Sequence, residues 1–169
     1  LEENWIYTTS ENNKARFTLG QKGENVLACL GINPSTAHPG KLDSTITSLK
    51  NIATNNGFDG WLMINVYPQR ATDPKNIHKR FDRSLHKKNL EQIERCLKKY
   101  RVRTLWLAYG DLIDQRKFLK PCLHELLGLC YQYNLEFRIV NDLTKKGNPR
   151  HPLYKKATSR LEVFEGLIT

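Results

Sequence analysis

Residues 26–37 read Val-Leu-Ala-Cys-Leu-Gly-Ile-Asn-Pro-Ser-Thr-Ala. The apolar run 26–32 is too short for a helix with a periodic buried face and is stopped by Asn33-Pro34, where the proline pushes the preceding residue out of the helical region. It therefore predicts a buried strand that ends in a stiff polar loop. Three further runs of the same kind, residues 61–66, 104–109 and 136–140, are short and apolar, as strands buried on both faces of a parallel sheet are. Helical patterns fill the intervals. Ile46, Leu49 and Ile52 recur at helical spacing behind Asp43 or Ser44 as N-cap, with Gly57 as the stop, and Leu90, Ile93, Leu97 and Tyr100 form a second stripe. A third helical region covers 112–133, interrupted at Pro121, and a last one covers 154–165, with Ala157, Leu161 and Phe164 turned inward. The alternation predicts an α/β fold of three layers, α/β/α, around a central, mostly parallel four-stranded sheet, with residues 1–169 as one domain.

Open sheets of this kind bind ligands beyond the carboxyl ends of their strands, and the unusual motifs of this chain fall there. Gly31-Ile32-Asn33-Pro34-Ser35-Thr36-Ala37 holds an amide rigidly after the first strand, with two hydroxyls that can cap a turn or grip a phosphate. The second strand ends in Asn65-Val66-Tyr67-Pro68, a second amide followed by an aromatic ring. The third, residues 105–111, runs into Gly110-Asp111 and by itself marks only a strand-to-helix junction. Residues 145–154, Lys-Lys-Gly-Asn-Pro-Arg-His-Pro-Leu-Tyr, fence His151 between two prolines and surround it with cations. One working cleft built from the loops 31–37 and 147–154 follows.

The formal net charge of +10 is unevenly spread. Residues 70–103 hold twelve Lys or Arg against four Asp or Glu, residues 138–160 hold seven against one, and the remainder is slightly acidic. Two basic segments are an electrostatic footprint for phosphate. Cys29, Cys96, Cys122 and Cys130 lie far apart without metal-ligand spacing and are expected as reduced core thiols, so neither a metal nor a cofactor is called for. No apolar run reaches the length of a membrane span and residues 1–10 lack the order of a signal peptide, which predicts a cytoplasmic protein with no membrane partner.

Taken in order, these motifs resemble those of the uracil-DNA glycosylase superfamily. Gly31-Ile32-Asn33-Pro34 is similar to its first motif in the G-x-N-P form, Asn65 to the asparagine that reads the base, residues 105–110 to the strand ending in W-G, and His151-Pro152-Leu153 to the H-P-S loop. Ser35 and Thr36 stand where glycosylase branches often carry a Gly or an aromatic residue, and the His151 string is shorter than the usual wedge. The chain is also identified as a member of an uncharacterised family, domain of unknown function 1643, through Asn33-Pro34-Ser35-Thr36-Ala37, Asp43-Ser44-Thr45, Arg70-Ala71-Thr72 and His151-Pro152-Leu153-Tyr154. The superfamily resemblance implies a uracil-DNA glycosylase-like domain acting on a base in DNA or a nucleotide. In it Asn33, with Asp43, would place water at the sugar, and His151 would stabilise the departing base. Asn65 would read the base edge with Tyr67 stacked on it, and Ser35, Thr36, Lys145, Lys146 and Arg150 would hold phosphates. The same cleft also fits a non-hydrolytic module for modified bases, or an enzyme acting on free nucleotides.

Overall fold

The computed structural model describes residues 4–153 and 155–166. In chain order the elements are β1 (Trp5–Thr9), β2 (Arg16–Gln21), β3 (Val26–Gly31), α1 (Ser44–Asn55), β4 (Gly60–Asn65), α2 (Arg83–Lys99), β5 (Thr104–Leu107), α3 (Leu119–Gln132), β6 (Glu136–Val140) and β7 (Leu161–Val163). The sheet order is β1-β2-β4-β3-β5-β6-β7. Strands β4, β3, β5 and β6 pair in parallel, and these are the four runs expected from sequence. The expected sheet of four is corrected to seven: β1 and β2 add an antiparallel hairpin beside β4, and β7 adds an antiparallel edge to β6.

Three of the parallel strands, β3, β4 and β5, are buried along their whole length because helices cover both sides, whereas β6 carries Glu136 and Arg138 and buries only Val140. Ala28, Leu30, Leu62, Ile64, Leu105 and Leu107 face a core shared with Ile93 and Leu97 of α2 and with Leu123 and Leu126 of α3. Their neighbours in sequence, Leu27, Cys29, Trp61, Met63 and Trp106, face Ile46, Leu49 and Ile52 of α1. This period of two, strand by strand, sorts the apolar residues into two layers. All four cysteines are free and buried.

Local chemistry sets the helix limits. Asp43 caps α1, its Oδ1 accepting from the Ile46 N–H at 2.9 Å, and Gly57 turns the chain away at φ 83°. Pro121 does not interrupt the third helical region as expected. It is the third residue of α3, where its missing N–H has no intrahelical acceptor in any case, and a single 3-10 turn at Asp111–Asp114 precedes it. The helix expected over 154–165 is also corrected. Leu161–Val163 is a strand, Val140 pairing with Leu161, and only Leu161 of the three is buried. The apolar spacing of Ala157, Leu161 and Phe164 suits a helix face, but the unpaired edge of β6 captures the backbone instead. Tyr154 lies outside the described residues.

Candidate functional site

At the carboxyl ends of β3 and β4 lies a cavity of about 400 Å³, within the range of small-ligand pockets, whose polar lining includes Arg16, Asn33, Asp43, Asn65 and His151. It stands where the chain changes direction across the sheet: β3 leads through α1 to β4 on one side, while β5 continues through α3 to β6 on the other.

Asn65, the last residue of β4, forms the floor. Its side chain is 1% exposed, and neither Nδ2 nor Oδ1 has a hydrogen-bond partner among the described residues. Its backbone carbonyl accepts from Nδ2 of Asn89, a buried residue of α2, at 2.9 Å, which fixes the strand end from beneath. Gly31 leaves room for the amide: a Cβ there would stand 2.6 Å from the Met63 methyl and 3.1 Å from Asn65 Oδ1. An amide that offers one donor and one acceptor, and is shut off from the rest of the protein, is suited to a ligand edge with the complementary pair.

Asn33 is placed differently. Its Nδ2 donates to the carbonyls of Ala71 at 2.8 Å and Pro34 at 3.1 Å, so the side chain stitches the first loop to the 69–72 segment. Only Oδ1 is left for a ligand or a water. The same seam is held by Arg70, which donates to the carbonyls of Ser35 and Ala37, and by a hydroxyl pair between Ser35 and Thr72 at 2.9 Å. Ser35 and Thr36 both line the cavity.

His151 also lines the cavity. Its Nδ1 lies 3.1 Å from the backbone nitrogen of Leu153, and a backbone N–H can only donate, so Nδ1 accepts and the proton sits on Nε2. Burial lowers the imidazole pKa below its ordinary value, with the Asp43 charge opposing. The ring is thus a neutral donor near pH 7. Its loop is clamped by the third motif: the Gly110 N–H donates to the Pro149 carbonyl, Asp111 accepts from Asn148 and Thr144, and Ser48 of α1 donates to the Pro152 carbonyl. Gly110 has φ 60°, a conformation that favours glycine.

Six expected site residues therefore meet in one cavity: Asn33, Ser35, Thr36, Asp43, Asn65 and His151. Tyr67 does not. It is 0% exposed, its hydroxyl bonds His78 Nδ1 at 2.8 Å, and its ring packs on Phe118, so the ring lies in the core and is not part of the cavity lining. Arg150 donates to the carbonyls of Asp142 and Leu143 and so braces its own loop, and neither it nor Lys145 nor Lys146 lines the cavity. Asp43, the only acidic residue lining it among those described, spends Oδ1 on the helix cap and makes no hydrogen bond to Asn33. Arg16 and Asn89 were not expected. An arginine just inside a short half-polar segment reads as a solvated strand start, and an asparagine between apolar helix positions reads as surface, so neither carried a signal.

No helix among the described residues is long and apolar enough to cross a membrane. Comparison with known proteins finds no curated protein and no solved structure that matches the chain. A family model described as "Protein of unknown function (DUF1643)" does match, over residues 16–153, a span that contains the first loop, the Asp43 cap, the Arg70 seam and the His151 loop. The chain belongs to this family.

Proposed function

We propose that the cavity recognises a nucleobase, carried by a nucleotide or by DNA, through the amide of Asn65. The observation that supports this reading is the side chain itself: a buried amide with donor and acceptor both unspent, at the floor of a cavity of small-ligand size. Leaving such a group unpaired costs about 1–3 kcal/mol, a cost that a base edge offering one donor and one acceptor removes.

Hydrolysis of the base–sugar bond is the second part of the proposal. In the uracil-DNA glycosylase-like reading, the leaving base gathers negative charge, which the Nε2–H of His151 meets, while the sugar gathers positive charge and is attacked by water held on Asn33 Oδ1. The neutral tautomer of His151 supports the first role and the unspent Oδ1 of Asn33 supports the second. Asp43 supplies the one carboxylate among the described residues that line the cavity, but its capping bond favours a module that binds without cleaving. Release of free base from single- and double-stranded oligonucleotides carrying uracil, mismatched thymine or modified pyrimidines, followed by mass spectrometry, decides between them. Release that disappears in Asn33→Ala is the outcome expected of a hydrolase. Binding to the panel with no release assigns the recognition module, and failure to bind any base contradicts the proposal.

A further inference from the structure

Base recognition makes no use of Arg16, the one Lys or Arg among the described residues that line the cavity. Arg16 is the first residue of β2, and because β2 runs antiparallel to β4, its start comes to the edge where β3 and β4 finish. The residue is 2% exposed and lines the cavity. Its Nη1 donates to the Ala37 carbonyl at 2.9 Å, while Nε is buried without a partner. Among the described residues the ion pairs involve other side chains, so no carboxylate neutralises it at contact distance. Burial, with Arg70 adding and Asp43 opposing, lowers its pKa to about 10, which still leaves it charged at neutral pH.

A buried cation without a contacting anion is costly, and the cost falls when a ligand supplies the anion. The cavity offers a second anion-favouring feature. Ser44 and Thr45, the first two residues of the 12-residue helix α1, line it, and N–H groups at that end of a helix have no intrahelical acceptor and carry the positive end of its dipole. Asp43 is the opposing charge on this wall, and its Oδ1 is tied to the Ile46 N–H within the cap.

We propose that Arg16 and the first turn of α1 form a phosphate subsite beside the base-reading amide, so that the ligand is a nucleotide and not a free base or nucleoside. This rests on the base-recognition reading for its neighbour, Asn65, but on different residues for the phosphate. The phosphate belongs either to a mononucleotide or to the backbone of a polynucleotide.

Calorimetric titration of the full chain with a nucleoside, its 3′- and 5′-monophosphates, and a short oligonucleotide of the same base, repeated for each of the common bases, tests it, with inorganic phosphate as competitor. The phosphorylated ligand is expected to bind at least about tenfold more tightly than the nucleoside, equivalent to about 1.4 kcal/mol. Inorganic phosphate should erode that advantage, Arg16→Met should abolish it, and Arg16→Lys should keep part of it. A gain with the monophosphate identifies the mononucleotide as source, and a gain with the oligonucleotide alone identifies the polynucleotide. Nucleoside and nucleotide binding equally to the wild-type protein overturns the subsite while leaving base recognition standing. Phosphate binding with no preference among bases leaves the subsite standing and removes base recognition. No binding of phosphate or nucleotide overturns both. The wild-type comparison needs no variant, so misfolding of Arg16→Met does not rescue the proposal.

Discussion

Asn65 brings to the cavity floor an amide whose value to the fold is small, since neither of its side-chain polar atoms bonds within the protein. Asn65→Leu, close in volume, is expected to leave the melting temperature unchanged or raise it, because it removes a buried polar group without breaking a hydrogen bond. A fall of more than about 1 kcal/mol in unfolding free energy would indicate an ordinary structural amide. His151 makes a second prediction at this scale. Burial lowers its folded pKa beneath the unfolded value of about 6.5. The unfolded chain therefore binds the proton more readily. Its contribution to stability is complete above pH 6.5 and declines as pH falls from there toward the folded pKa. Imidazole resonances followed by NMR should give a His151 midpoint below 6.5, and a midpoint above it would contradict the accepting role of Nδ1. Asn33 and Asn65 were legible as site candidates because they stand just past the end of β3 and at the end of β4, and His151 because Pro149 and Pro152 stiffen the loop that carries it. What the sequence could not convey is which of their atoms are already spent: Asn33 gives its NH2 to Ala71, whereas Asn65 gives nothing.

Between residue and fold, Asp43 serves α1 and the cavity at once, and two substitutions separate the functions. Asp43→Ala removes the cap and is expected to cost about 1 kcal/mol, while Asp43→Asn keeps a capping side chain and should lie within about 0.5 kcal/mol of the parent. Denaturant titration reads both. If Asp43 acts as a base, Asp43→Asn loses base release with stability intact; unchanged release in that variant confines Asp43 to the cap. At the other end of the sheet, Leu161 tests the corrected element. It is 8% exposed, packs with Val140 in the α1 layer, and donates its backbone N–H to Asn56 Oδ1. Leu161→Ala should destabilise by about 2–3 kcal/mol, whereas Val163→Ala, at a position 54% exposed, should change stability little. β3, β4 and β5 were legible because burial on both faces leaves a nearly unbroken apolar run, and β6 was legible from Phe137, Ile139 and Val140 although Glu136 and Arg138 interrupt it. β1, β2 and β7 were not, because β1 and β7 are partly exposed edge strands whose polar residues break the run, and β2 begins with an arginine buried for reasons remote in sequence.

Across the whole molecule, the net charge of +10 overstates what is available to a ligand. Arg70, Arg116 and Arg150 are bonded to backbone carbonyls and Arg138 pairs with Glu136, and of these Arg150, expected to hold a phosphate, braces its own loop. The charge that matters to the cavity is Arg16, which lies outside both basic segments. The fold brings it there: an antiparallel strand starts at the edge where the parallel strands end, and residues far apart in sequence converge on one crevice. Whether this crevice recognises a nucleobase through Asn65 is decided by calorimetric titration of wild-type and Asn65→Leu proteins with a panel of nucleotides differing only in the base. The wild type is expected to prefer one base over the others, and the substitution to weaken that ligand at least about tenfold while the melting temperature holds. Affinity that is indifferent to the base, or unchanged by Asn65→Leu in a folded protein, would contradict it.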